Sequence, residues 1–334
     1  MRVSEIRRDP LLKFEVVIAE GRSARPDQWQ QEVPKPSAMQ CPFCEGNEQT
    51  TPHESWVSRE PSSLPDQPGW QVRVVPNRYP SLKLDYQSYT EEDSDFFTTM
   101  PANGVQDVVI ESPQHLSSFT QLPEENAHLT LLACRDRLRE IQQDGRYKHC
   151  QIFKNVGPAA GASLEHSHSQ IMASDRVPAQ VAAVMEASAS YFQQNGISYW
   201  ADLIKRELAL ETRVVQADDD FVVLCPFASR FPLQTLILPK VQQASFGDAN
   251  SALLAKLARL TQQMLLRIEK LLKVSSYNYL IHTSPFDTVA EEHYHWQLEI
   301  LPRITTPAGY EWGTGVFVNP MAPEHAAQLL RTAN

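Results

Sequence analysis

The chain has 334 residues, enough for one large core or two ordinary ones, since single domains usually run to about 100–200 residues. Its 42% hydrophobic and 21% charged residues are those of a folded globular protein, and no run of about 18 apolar residues is available to span a bilayer. A formal net charge of -10 argues against a nucleic-acid binder working by counterion release, although a few arginines and backbone amides can still hold a diphosphate.

The opening stretch "MRVSEIRRDPLLKFEVVIAEG" lacks the apolar run and small-residue cleavage site of a secretory signal, so the expected compartment is the cytoplasm. Of five cysteines only Cys41 and Cys44 are close in sequence, and a disulfide framework is not expected in so long a cytosolic chain. In chain order, alternating or β-rich runs predict strands at 14–19, 70–76, 106–112, 148–155 and 168–173. A second set follows at 212–217, 220–226, 234–239, 277–283 and 294–301. Helical spacing marks 124–143, 178–194, 248–273 and 323–332, the first two opening on proline chemistry suited to a helix start. Residues 21–67, rich in Pro, Gln and Ser, read as long loops. The expected class is α+β, antiparallel sheet with helices laid against it.

The two sets of elements repeat one order. "VRVVPNRYPSL", "DVVIESPQH", a helix, "QIFKNVGPAAG" and "HSHSQ" are answered by "FVVLCPFASRFPLQTLILP", a helix, "YNYLIHTSPF" and "HYHWQ". The repeat puts a boundary near residue 195, dividing the chain into halves 1–195 and 196–334.

A strand sends residues i, i+2 and i+4 to one face, so His166, His168 and Gln170 should point together and Ser167 and Ser169 away. A solvated polar strand face is the plain alternative. Against it stand the small-residue loop "NVGPAAGAS", which lets backbone amides approach a phosphate, and the apolar "QIMA" that follows. The Cys-x-x-Cys of "CPFCEGN" suits zinc; a redox pair or two buried thiols are its other readings. With no second Cys-x-x-Cys, histidines must complete a tetrahedron, and His115 and His166 are the candidates. Such a four-ligand site would be structural, with no position open to water.

In this order, "CPFCEGN", "VVPNRYPSL", "ESPQH", "FKNVGPAAGASLEHSHSQ" and "EEHYHWQLEILPR" resemble the galactose-1-phosphate uridylyltransferase branch of the histidine-triad superfamily, over nearly the whole chain. The resemblance implies two fused histidine-triad-like halves, a homodimer, and nucleotidyl transfer between a nucleoside-diphosphate sugar and a hexose 1-phosphate. It implies His168 as nucleophile, Gln170 as hydrogen-bond partner of the transferring phosphoryl, and Cys41, Cys44, His115 and His166 as zinc ligands. Arg22 and Arg25 match positions facing the diphosphate; Asn77, Phe153 and Asn155 match nucleoside contacts, and Gly161 and Ser163 phosphate contacts. Tyr310 and Glu311 match hexose-binding positions supplied by the partner subunit. No nucleic-acid or membrane partner is implied.

Ser167, where many members carry proline, brings the wording closer to plant-type ADP-glucose phosphorylase members. Together with Arg78 it leaves adenine open beside uracil, so an ADP-sugar phosphorylase using inorganic phosphate is the alternative activity. A nucleotide-binding module without chemistry would account for Cys-x-x-Cys but not for His168 and Gln170. Many relatives carry a second metal in the C-terminal half; here Ser198, Ala201 and Gln242 stand at expected ligand positions, and Val184 and Glu299 at those of other relatives. One zinc per chain is therefore expected, with a weak site at His282, His293 and His295 as the minor alternative.

Overall fold

The computed structural model describes residues 4–20, 41–84, 97, 99–272 and 276–333. Its strands, in chain order, are β1 (Glu5–Arg8), β2 (Glu15–Ile18), β3 (Trp56–Arg59), β4 (Trp70–Pro76), β5 (Gly104–Ile110), β6 (His149–Val156), β7 (His168–Ser174), β8 (Val214–Ala217), β9 (Phe221–Leu224), β10 (Thr235–Pro239), β11 (Tyr277–His282), β12 (Gln297–Pro302) and β13 (Phe317–Asn319). The helices are α1 (Glu124–Asp144), α2 (Ala179–Asn195), α3 (Tyr199–Leu210), α4 (Ser251–Leu272), α5 (Gly309–Thr314) and α6 (Pro323–Thr332).

Ten strands form one antiparallel sheet in the order β3-β4-β5-β7-β6-β11-β12-β10-β9-β8, and β1, β2 and β13 form a small second sheet. The order reads the same from both ends: β3 to β7 on one side correspond to β8 to β12 on the other, and the halves meet where β6 pairs with β11, Phe153 opposite Leu280. The repeat expected from sequence is thus one continuous sheet with an internal two-fold.

Each half lays one long helix on the same face. α4 carries Leu254, Leu257, Ala258, Thr261, Leu265 and Ile268 at three- and four-residue spacing, all buried, and α1 buries Leu131, Cys134, Leu138 and Ile141 in the same core. The sheet supplies the matching parity: Cys150, Ile152 and Val156 on β6, Ile171 and Ala173 on β7. Residues of the other parity (His168 and Gln170, Phe153 and Asn155) belong to the opposite face, where the candidate site lies.

Most strands fall within a few residues of their expected positions, and β4 coincides with its expected span. Three differences stand out. The 21–67 stretch, expected to be loop, contains β3, which pairs with β4 across a bulge at Ser58/Arg59. Residues 199–210, where no element is expected from the sequence, form α3; Tyr199, Trp200 and Ile204 bury its apolar side. Finally, β7 begins at His168 as expected, so His166, expected to share a strand face with His168 and Gln170, lies in the approach to the strand rather than on it.

Candidate active site and metal centre

The chain crosses itself just before β7. Ser167 N donates to Leu116 O at 2.6 Å and Glu111 N to Ser167 O at 3.3 Å, which fixes the 166–168 approach beside the turn after β5. The Cys41–Cys44 turn, closed by Asn47 Nδ2 donating to Cys41 O at 2.9 Å, docks on the same turn through Glu45 N donating to Pro113 O at 3.0 Å.

These contacts bring the four candidate ligands together. Cys41 Sγ and Cys44 Sγ lie 3.5 and 3.6 Å from His166 Nδ1, and Cys44 Sγ lies 3.4 Å from His115 Nδ1. All four ligand atoms fall within 4.8 Å of one another. Zinc bonds of about 2.0–2.3 Å would set tetrahedral ligand atoms about 3.3–3.8 Å apart, so the cluster has the size of a Cys2His2 site. The tautomer also fits. His166 Nε2–H donates to Ser112 O at 2.8 Å, since a carbonyl only accepts, and this leaves the Nδ1 lone pair facing the thiols. Burial pushes His166 down to about 4, keeping it neutral, while burial and the neighbouring Cys41 push the Cys44 thiol up to about 11. A cation among them would offset that repulsion.

His168 opens β7 and is only 8% exposed. Its Nδ1–H donates to the carbonyl of His166 at 2.7 Å, leaving Nε2 as the lone-pair nitrogen. Burial, with Lys154 nearby, holds its pKa below the ordinary histidine value. Phe43, between the two cysteines, sets its ring 5.4 Å from that of His168 and 6.0 Å from that of His166.

Beneath the strand, Ser167 and Ser169 do turn the other way. Both donate to Glu111, at Oε2 and Oε1 respectively, each at 2.5 Å, and Ser169 Oγ also meets Tyr279 OH at 2.6 Å. Lys154 Nζ donates to Glu111 Oε2 at 2.6 Å, to Ser167 Oγ at 2.9 Å and to the carbonyl of His168 at 3.0 Å. Sequence reasoning passed over Glu111, Lys154 and Phe43. A signal existed for Lys154: it is a lysine at the core-facing parity of β6, between Ile152 and Val156.

The remaining candidates divide. Phe153 stands opposite Gln170 in the β6–β7 ladder, and Asn155, two residues on, accepts from Asn278 Nδ2 at 2.8 Å. Gly161 ends a short 3-10 turn with φ +80°, open space where a Cβ would sit, and Ser163 is exposed in the same loop. Asn77 is half-buried, its backbone N–H donating to Gln106 O at 2.8 Å. Tyr310 and Glu311 belong instead to α5, which packs on β13; Tyr310 is 54% exposed. Arg22 and Arg25 lie outside the described residues.

The second half departs from the first in its chemistry. His295, the counterpart of His168, donates from Nε2 to Pro239 O at 2.6 Å and accepts at Nδ1 from Gln243 N at 3.3 Å, so neither nitrogen keeps a free lone pair. His282 Nε2 pairs with Glu299 at 2.9 Å, His293 Nε2 donates to Val289 O, and Gln242 donates to Tyr294 O. The three histidines of the alternative metal site thus take separate partners. His282, Glu299 and Val184 line a cavity of about 570 Å³ to which both halves contribute; Ser198 precedes α3 and Ala201 lies on it.

Comparison with known proteins bears on the whole chain. The sequence model of the galactose-1-phosphate uridyl transferase N-terminal domain matches residues 1–178, and a model described as a domain of unknown function, DUF4921, matches residues 100–333. An ADP-glucose phosphorylase of Arabidopsis thaliana is 33% identical over 98% of this chain and 92% of its own length. A galactose-1-phosphate uridylyltransferase of Thermotoga maritima is 26% identical over 98% of both chains. The crystal structure of the Arabidopsis thaliana ADP-glucose phosphorylase with bound ADP-glucose superimposes with a TM-score of 0.83 at 32% identity, covering 99% of each chain. Fold, sequence and the preserved order of motifs agree: the chain is a nucleotidyltransferase of the galactose-1-phosphate uridylyltransferase family.

Proposed function

We propose that the protein moves a nucleoside monophosphate from a nucleoside-diphosphate sugar to hexose 1-phosphate through a covalent nucleotidyl-His168. The observation that carries this reading is the Nδ1–H of His168 donated to His166 O, which points the reactive lone pair to Nε2. A neutral imidazole attacks the α-phosphorus in line, forming the P–N bond as the bond to the sugar 1-phosphate breaks. The acceptor phosphate then attacks the same phosphorus and returns the imidazole, which gives ping-pong kinetics. The leaving phosphomonoester has a second pKa near about 6 and needs no proton from the enzyme, so an amide donor at Gln170 suffices.

In this reading Phe153, Asn155 and Asn77 contact the nucleoside, Gly161, Ser163, Arg22 and Arg25 the phosphates, and Tyr310 and Glu311 of a partner copy the hexose in a homodimer. Cys41, Cys44, His115 and His166 hold one structural zinc, which when bound fastens the Cys41–Cys44 turn to the approach of His168. The halves divide near residue 195, and the unpaired thiols of Cys134, Cys150 and Cys225 suit the cytoplasm. The identity to the Arabidopsis relative favours a second reading, adenylyl transfer from an ADP-sugar to inorganic phosphate.

One experiment separates these. Protein incubated with UDP-glucose or ADP-glucose, each labelled in the α-phosphate, is quenched, digested and mapped, then chased with galactose 1-phosphate or inorganic phosphate. Label on His168 released by the sugar phosphate supports the first reading; release by inorganic phosphate from ADP-glucose supports the second. Label on neither nucleotide refutes both.

A further inference from the structure

The orientation of the Gln170 side chain can be read outward from the backbone. Ser81 N–H donates to Gln106 Oε1 at 2.9 Å. A backbone N–H can only donate, so the Gln106 oxygen faces Ser81 and its –NH2 is turned to Gln170, lying 3.1 Å from Gln170 Oε1. Gln170 therefore spends its oxygen on Gln106. Among the described residues no protein acceptor takes its –NH2, and both N–H bonds remain for a ligand.

We propose that Gln106 is a positioning residue that fixes the Gln170 amide with its –NH2 toward the transferring phosphoryl; the inference rests on the role given to Gln170 above. Amide oxygen and –NH2 are nearly the same size, so packing alone does not choose between the two orientations. The choice requires a neighbour of defined polarity, and Ser81 supplies that polarity through Gln106. The same residue anchors the 77–81 loop at both ends, its backbone carbonyl accepting from Asn77 N at 2.8 Å and its side-chain oxygen from Ser81 N, while Tyr79 N donates to Asn77 Oδ1 at 2.8 Å. The loop bearing the nucleoside contact and the phosphoryl donor thus hang from one residue.

The test is a sign inversion. Gln106→Glu keeps the Ser81 bond but can only accept, so it draws the Gln170 –NH2 to itself and turns the amide oxygen on the phosphoryl. Gln106→Leu leaves both orientations open. In single-turnover formation of the nucleotidyl-enzyme, Q106L should lose only a few-fold in rate, about the cost of a free choice between two orientations. Q106E should lose about a hundredfold, in kcat rather than KM, as for removal of one preorganised donor. In a Gln170→Leu background neither substitution should cost more, whereas a simple effect of the new charge would persist there. A Glu variant milder than the Leu variant, or an undiminished loss in the Q170L background, overturns the inference. Should Q106E not fold, the Q106L loss measured with and without Gln170 carries the same decision. Wild-type protein that traps no nucleotide would overturn the function itself; trapping wild type with an unimpaired Q106E overturns Gln106 alone.

Discussion

The ring of Phe43 stands beside that of His168, centroids 5.4 Å apart and planes inclined by 62°. Phe43 is held between Cys41 and Cys44, so the turn that carries two of the proposed metal ligands also packs against the proposed nucleophile. Removing the metal should therefore act on the reaction without touching a reacting atom. We expect one zinc per chain by elemental analysis. Chelation or Cys44→Ser should lower both Tm and the rate of nucleotidyl-enzyme formation, the latter by about 10–100-fold. Phe43→Ala should slow the same step while retaining zinc. A chelated protein with Tm and rate both unchanged would show that the cluster holds no structural metal.

Lys154 and Glu111 are both inaccessible to solvent, 2.6 Å apart beneath β7. The lysine also donates to the carbonyl of His168, so the pair fixes the backbone from which the imidazole projects. Lys154→Met strands a buried carboxylate with two serine hydroxyls. That should cost about 3–5 kcal/mol in urea unfolding, and adding Glu111→Gln should recover part of it. A single variant within about 0.5 kcal/mol of wild type would mean that water or a rearranged partner replaces the ammonium.

How far these features could be read from residues alone depends on the range of the contact. Strand β4 and the long helices α1 and α4 were legible because apolar spacing within a dozen residues determines them. The Cys-x-x-Cys and the alternating histidines stood out by residue type, and the structure brings Cys41, Cys44, His115 and His166 together. Helix α3 carries a usable signal in the apolar spacing of Trp200, Leu203, Ile204 and Leu208. Strands β1, β3 and β13 are three or four residues long and at or near sheet edges, where no period has room to show. The bond from Ser167 to Glu111 spans 56 residues, and that from Gln106 to Gln170 spans 64; no local pattern encodes either. The tautomer of His168 depends on a carbonyl whose direction only the turn into β7 sets.

Burial gives the protein a pH signature. His295 is pushed down to about 4 by burial, and His149 likewise, against an ordinary value of about 6.5. Between these values the unfolded chain binds a proton that the folded chain refuses. The stability these neutral rings contribute is complete above about pH 6.5 and is lost as pH falls toward 4, at about 1.4 kcal/mol per pH unit for each ring. Urea unfolding from pH 7 to 4 should show this fall. In His295→Asn the slope should be shallower by about one proton, whatever the variant's stability at pH 7. An identical slope would mean that His295 is protonated in the folded protein.

In the proposed reaction it is Gln170 that sets the partition between transfer and hydrolysis. An amide donates to the phosphoryl without titrating, so it stabilises developing charge yet cannot take a proton from an attacking water. An imidazole in the same place could do so, acting as a general base on the water that approaches the nucleotidyl-His168, a contribution of about a hundredfold or more where geometry allows. The acceptor phosphate is already anionic and gains nothing from that base. Gln170→His should therefore raise the ratio of free nucleoside monophosphate to transferred product, measured with labelled nucleotide sugar at saturating acceptor. It would also exchange the Gln106 contact for a ring nitrogen, so overall turnover should fall even as the ratio rises. A variant that slows both reactions equally would show that water is kept from the intermediate by exclusion rather than by the lack of a base at this position.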